Sequence, residues 1–255
     1  MAKCNVISHR GANLVAPQNT IEAFKKSMEV GCDGFETDIH LTKDGIPVVC
    51  HNFTIDETSN GKGAIKDMTL EQLRAFDFGK YKGEEFEGVK IPTLDEFLEL
   101  SKKMGDKMKV LDIELKSERY GEAGTELAEK TIDAVKNHGL FDQLLISSFD
   151  PAILVVCKKI DKKCKTGILY SPDKMTGVKI SMHPVSFARE IGADALHPYY
   201  MYATKSYVKK AHNAGLQVNP WTANKEKTVK KLLEAGVDGI ITDNPGLVNM
   251  MLIEK

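Results

Sequence analysis

Three joints of one pattern recur along the chain: Gly31-Cys32-Asp33-Gly34-Phe35, Gly192-Ala193-Asp194-Ala195-Leu196 and Gly236-Val237-Asp238-Gly239-Ile240. Each places a glycine at the end of a helical stretch, an aspartate in the loop and an apolar strand directly after it. Glycine accepts the left-handed conformation that ends a helix, and its recurrence marks a repeated helix-to-strand unit. Such units build a parallel sheet. The strands expected are Asn5–His9, the stretch around Glu36, Lys109–Lys116, Leu144–Phe149, Lys165–Tyr170, Ala193–His197, Leu216–Trp221 and Gly239–Thr242. Between them, Asn19 with Glu22 forms a capping-box start for a helix ending at Gly31, and Thr93 with Glu96 starts another, running to about Met104. Further helices are expected over Gly121–His138, Pro151–Ile160, Pro184–Ile191, Lys205–Ala214, Lys225–Ala235 and from Pro245.

Alternation of this kind over 255 residues favours an α/β fold closed as a TIM (β/α)8 barrel, which needs about 250 residues. No glycine-rich dinucleotide loop follows the first strand, which counts against a Rossmann-type sheet. Residues 53–91 break the rhythm with glycines, charges and one short helix capped by Thr69 and Gln72. They read as an insertion lobe after the second strand, within a single domain spanning residues 1–255.

A formal net charge of −1 offers no basic footprint for nucleic acid, and the scattered lysine pairs read as solvated helix faces. No signal segment or membrane-spanning stretch is evident. The five cysteines form no Cys-x-x-Cys pair and read as small core residues of a cytoplasmic protein.

The stretch Gly34–His51 reads as a strand, a Lys43-Asp44-Gly45 turn and a returning strand. Alternation puts Glu36 and Asp38 on one face. Paired carboxylates repel each other and are costly to bury without a positive group between them. The return strand ends in His51, and Asp112-Ile113-Glu114-Leu115-Lys116 brings further acids. In a barrel the site lies at the C-terminal strand ends, which here carry His9 and Arg10, Glu36 and Asp38, Glu114 and Lys116, Ser147 and Ser148, Tyr170, His197, Trp221 and Asp243. Glu36, Asp38 and Glu114 suit one hard divalent cation, Mg²⁺ or Ca²⁺, better than zinc. Arg10 and Lys116 suit a phosphate, and His9 with His51 an acid–base pair. Singly, each has a plainer use: His9 in a core, Arg10 in a surface ion pair, Lys116 paired with Glu114, Asn19 as a helix cap, His197 and Trp221 as rim packing.

With these residues in place the sequence resembles the glycerophosphodiester phosphodiesterase family over nearly its whole length. The resemblance rests on His9-Arg10-Gly11, Pro17-x-Asn19-Thr20, Glu36-x-Asp38, Thr42-Lys43-Asp44-Gly45, Val48-Val49-x-His51, Ile91-Pro92-Thr93-Leu94, Ile113-Glu114-Leu115-Lys116 and Thr242-Asp243-x-Pro245. It implies a TIM-barrel phosphodiesterase releasing glycerol 3-phosphate and an alcohol. It implies metal ligation by Glu36, Asp38 and Glu114, acid–base roles for His9 and His51, phosphate binding by Arg10 and Lys116, and an apolar wall for glycerol at Trp221. Two departures from the family pattern are Gln18 and Asn52, where glutamate and aspartate are common. Three other readings stay open: a lysophospholipid substrate lying along Phe53, Phe76, Phe78 and Phe86, a Schiff-base aldolase using Lys116, and a non-catalytic binding barrel.

Overall fold

The computed structural model describes residues 4–116, 124–171 and 183–253. In chain order these hold β1 (Asn5–His9), α1 (Ile21–Val30), β2 (Gly34–Leu41), β3 (Pro47–Val49), α2 (Leu70–Arg74), α3 (Leu94–Lys102), β4 (Val110–Leu115), α4 (Thr125–Asn137) and β5 (Leu144–Ser148). There follow α5 (Pro151–Ile160), β6 (Lys165–Tyr170), α6 (Pro184–Glu190), β7 (Ala195–Pro198), α7 (Lys205–Asn213), β8 (Gln217–Val218), α8 (Glu226–Ala235), β9 (Gly239–Thr242) and α9 (Pro245–Ile253).

The parallel strands run in the order β8-β7-β6-β5-β4-β2-β1-β9, with β3 paired antiparallel to β2. The two ends of that order meet. Asp238 N–H donates to Val218 O at 3.0 Å, Ile241 N–H to Pro220 O at 3.0 Å, and Ala223 N–H to Ile241 O at 3.1 Å. The result is the expected α/β barrel. Helices cover its outside, where Phe24 of α1, Phe35 of β2 and Phe97 of α3 pack with ring centroids 4.6–5.9 Å apart. Among the described residues no helix is long and apolar enough to cross a membrane.

The repeated joint has a physical cause. Gly31, Gly192 and Gly236 adopt φ of 82°, 71° and 81°, a region costly for other residues. Each aspartate then accepts the N–H of a residue near the start of a neighbouring strand: Asp33 from Val6 at 2.9 Å, Asp194 from Thr166 at 2.7 Å, Asp238 from Val218 at 2.8 Å. The motif therefore ties the bottom of the barrel together as well as ending helices.

Three expectations are corrected. The cap of α1 is Thr20, whose hydroxyl accepts from Ala23 N–H, and not Asn19; Asn19 sits at φ 57° with its side chain turned into the barrel mouth. The strand expected over Leu216–Trp221 shortens to Gln217–Val218, because Pro220 has no N–H to give the ladder, although Trp221 still bridges Tyr199 in parallel. The helix α4 starts at Thr125 after Gly124, and residues 121–123 of the expected helix lie outside the described residues. Elsewhere the capping boxes Thr69–Gln72 and Thr93–Glu96 form as expected.

Between β3 and α3, Ile55, Ile65, Leu73, Phe78 and Ile91 form a small apolar cluster with Val48 and Cys50, and Phe76 packs against it. The segment reaches back over the mouth. Tyr81 Oη accepts from Gln18 N–H at 3.0 Å, and Lys82 Nζ donates to Asn13 O at 2.6 Å.

Candidate active site

The β2–β4 ladder sets Glu36 opposite Asp112 and Asp38 opposite Glu114. All four carboxylates are buried. Glu36, Asp38 and Glu114 each place an oxygen so that the three lie within 4.8 Å of one another. Lys116 Nζ stands 2.8 Å from Asp38 Oδ1 and 2.7 Å from Glu114 Oε1, and Arg10 Nε lies 3.3 Å from Asp38 Oδ2. Asn19 Nδ2 donates to the same Asp38 oxygen at 2.8 Å and is itself fixed by Thr37 Oγ1 at 3.0 Å.

These contacts sort the acids. Burial would raise Asp38, but the charges of Lys116 and Arg10 hold it well below the usual carboxylate range. Burial and the neighbouring Asp38 charge push Glu36 well above that range, and burial raises Glu114 despite Lys116. Burial pushes Asp112 up to about 8. Four carboxylates thus face two cationic side chains, and the surplus negative charge is what a dipositive ion would neutralise. The all-oxygen set of Glu36, Asp38 and Glu114 is compatible with a hard divalent cation. Burial would lower Lys116, yet Asp38 and Glu114 keep it above the ordinary lysine value. A Schiff-base lysine needs the opposite shift.

Both candidate histidines line the cleft above these acids, with Arg10, Glu36 and Glu114. His9 Nδ1 lies 2.5 Å from Asp243 Oδ1, so it carries the proton, and Nε2 stands 3.8 Å from Glu36 Oε2. Asp243 also accepts from Asn13 Nδ2 and Asn224 Nδ2. Burial would raise Asp243, but these bonds hold it below its ordinary value. Burial and the adjacent Arg10 charge lower His9. His51 Nδ1 donates to Asn52 Oδ1 at 2.5 Å, and Asn52 Nδ2 donates to Glu57 Oε2 at 2.7 Å. Burial pushes His51 down to about 3. Gln18 Oε1 accepts from Arg10 Nη1 at 2.8 Å. Both departures from the family pattern therefore keep a hydrogen bond to a candidate site residue and lose only the charge.

Trp221 and Phe149 wall the cleft, edge to face at 5.6 Å. His197 is not at the rim. It is fully buried in the barrel interior, with Nδ1 3.3 Å from Asp112 Oδ2. Ser148 Oγ donates to Leu115 O at 2.9 Å, and Tyr170 bonds Tyr207, so both serve the scaffold. The sequence reading placed Asp243 at a strand end without giving it a role. Its partnership with His9, 234 positions away, follows only from closure of the barrel.

The chain matches the model of the glycerophosphoryl diester phosphodiesterase family over residues 9–247. It is 41% identical over 250 residues to a glycerophosphodiester phosphodiesterase of Caldanaerobacter subterraneus subsp. tengcongensis, covering 98% of both chains. A second enzyme of that name, from Bacillus altitudinis, is 34% identical over 94% of both chains. The fold superposes with a TM-score of 0.87 on a phosphodiesterase of Oleispira antarctica, solved in complex with the product sn-glycerol-3-phosphate, at 29% identity over 98% of this chain and 97% of that one. The chain belongs to the glycerophosphoryl diester phosphodiesterase family and is an enzyme of that class.

Proposed function

We propose that the protein hydrolyses water-soluble glycerophosphodiesters to an alcohol and sn-glycerol 3-phosphate. In this reading Glu36, Asp38 and Glu114 hold one divalent cation, Mg²⁺ or Ca²⁺. The observation that carries it is a single cleft lined by two imidazoles, each with Nδ1 engaged, and by Arg10, Glu36 and Glu114, with Asp38 and Lys116 ion-paired to Arg10 and Glu114 behind them.

With Nδ1 of both histidines carrying its proton, the basic nitrogen of each is Nε2. One histidine takes the proton of the nucleophile on Nε2, and the other, entering as the imidazolium with Nε2 also protonated, gives that proton to the departing alcohol oxygen. The nucleophile is water, or the neighbouring glycerol hydroxyl by way of a cyclic phosphate. Arg10 and Lys116 gather the negative charge that grows on the phosphoryl oxygens. Asn19 and Thr37 keep Asp38 turned toward Arg10 and Lys116. Trp221 and Phe149 give the glycerol carbons an apolar wall and keep water from that side. A bound cation supplies Lewis-acid polarisation and a template for oxygen ligands. Residues 53–91 serve as an insertion lobe of the one domain, fastened over the mouth through Tyr81 and Lys82.

A lysophospholipid needs a continuous apolar channel. Phe78 is buried and Phe76 packs in the same small cluster, which leaves Phe53, 40% exposed, and the half-buried Phe86 to line one. Soluble diesters suit the cleft better. The test is release of sn-glycerol 3-phosphate from glycerophosphocholine and glycerophosphoethanolamine, and of choline with lysophosphatidic acid from lysophosphatidylcholine, each with and without EDTA. EDTA-sensitive release from the first two is expected. Turnover of the lysolipid alone would overturn the substrate class, and EDTA-insensitive turnover would overturn the cation.

A further inference from the structure

One layer deeper than the three carboxylates lies Asp112. It is fully buried, yet neither carboxylate oxygen has a hydrogen-bond partner. It stands opposite Glu36 in the ladder, shares the inward face of β4 with Glu114, and lines the same cleft. Ser147 Oγ and His197 Nδ1 flank it without meeting full hydrogen-bond geometry, and Ser147 offsets part of the effect of burial on Asp112. His197 Nδ1 comes within 3.3 Å of Asp112 Oδ2 but out of line for a hydrogen bond. On the far side of the ring, Asn219 Nδ2 sits 3.3 Å from His197 Nε2, which makes Nε2 the acceptor and leaves Nδ1–H toward Asp112.

The barrel makes room for this polar layer. A Cβ at Gly167 would stand 2.7 Å from His197 Nε2, and one at Gly239 would stand 2.8 Å from Asn219 Oδ1. Barrel interiors are ordinarily filled by branched apolar side chains. A buried carboxylate without a well-aligned partner demands one, and Asp112 lines the cleft that holds Glu36 and Glu114.

We propose that Asp112 serves the cation site as its fourth carboxylate, acting through water rather than by direct ligation, with His197 and Asn219 as positioning residues that hold it facing the cleft. The inference rests on the cation reading above. Asp112 lies outside the group of three whose oxygens converge within 4.8 Å, which is why its action passes through solvent. Groups placed this way orient what the direct ligands hold, and their loss weakens metal affinity by about 10–100-fold.

The test is calorimetric titration of the full-length protein with Ca²⁺ and with Mg²⁺, alongside thermal melts of the metal-free forms. Asp112→Asn keeps the shape and removes the charge. It is expected to weaken cation binding by about tenfold or more, while the metal-free melting temperature holds or rises as the orphaned acid is removed. His197→Gln is expected to weaken binding in the same direction by less. Should Asp112→Asn fail to fold, Asp112→Ala carries the same comparison. Unchanged affinity in the Asp112 variants overturns the proposal, as does a fall in metal-free melting temperature with affinity intact, which marks a purely structural residue. If the unaltered protein binds neither cation, the cation reading fails and this inference falls with it; if it binds and the variants bind equally, this inference alone fails.

Discussion

His9 and Asp243 meet across the β1–β9 seam, Nδ1 to Oδ1 at 2.5 Å. The carboxylate does two things at once. It keeps the imidazole proton on Nδ1, and it fixes the ring so that Nε2 points toward Glu36. Asn13 and Asn224 also donate to it, so Asp243 is held by three side chains from two segments, the end of β1 with its following loop and the loop that carries Asn224.

Asp243→Asn must turn an amide N–H₂ toward at least one of those donors. The variant is expected to lose about a hundredfold or more in kcat, with KM little altered, because the anion that stabilises the His9 imidazolium is gone while the proposed phosphate contacts of Arg10 and Lys116 remain. Steady-state kinetics on a soluble glycerophosphodiester check this. The two residues act as a unit, so His9→Ala combined with Asp243→Asn is expected to be no worse than His9→Ala alone. Additive losses would break the pairing.

Much of this architecture is legible along the chain because it is local. Gly31, Gly192 and Gly236 announce helix ends, and the alternation of Glu36 with Asp38 is a two-residue pattern any strand would express. The convergence of Glu36, Asp38 and Glu114 also follows from adjacency of their strands. What stays hidden is what closure brings together. Asp243 meets His9 only when β9 docks on β1, and His197 leaves the expected rim because β7 carries its alternate residues inward past the small Gly167. Asn19 misleads for a different reason. Its spacing to Glu22 imitates a capping box, but the left-handed backbone at Asn19 leaves the cap to Thr20 and frees the amide for Asp38.

Asn52 accepts from His51 as an aspartate would, without the charge. Burial, helped by the Lys116 and Arg10 charges, takes His51 down to about 3 against the opposing Asp38 charge and the Asn52 hydrogen bond. Asn52→Asp places an anion at that nitrogen, favours the protonated imidazole and raises His51. One limb of the kcat/KM profile, the acid limb with His51 as base or the alkaline limb with His51 as acid, is expected to move to higher pH by about one unit, and pH–rate profiles of both proteins measure it. Two limbs that both stay in place would take His51 out of the proton-transfer role.

Gly11 follows Arg10 directly and sits at φ 83°, where a Cβ would stand 2.5 Å from Ala23 Cβ. Ala12 N–H also donates to Ala23 O there at 3.0 Å, so the loop is pressed against the start of α1. Gly11→Ala meets both an unfavourable backbone region and a contact with no room to yield. Destabilisation of more than about 1 kcal/mol is expected, together with impaired activity as Arg10 is displaced. Urea unfolding reads the first and kinetics the second. A variant as stable as the parent would mean the loop can shift away from α1 freely.

The raised carboxylates set a pH dependence with a definite sign. In the metal-free protein burial lifts Glu36, Glu114 and Asp112 above their ordinary values, Asp112 to about 8. The folded state then binds more protons than the unfolded chain between the ordinary carboxylate range, about 4, and the raised values. Stability contributed by these groups is present at low pH and declines as pH rises through that window. A divalent cation takes the place of those protons, so its stabilisation runs the other way and grows as the protons leave. Adding millimolar Mg²⁺ or Ca²⁺ is expected to raise the melting temperature more at about pH 8 than at about pH 6, and EDTA is expected to erase the difference. Scanning calorimetry across that range decides the matter. Equal shifts at both ends would mean the cation does not displace protons from these acids, and would place its binding elsewhere on the protein.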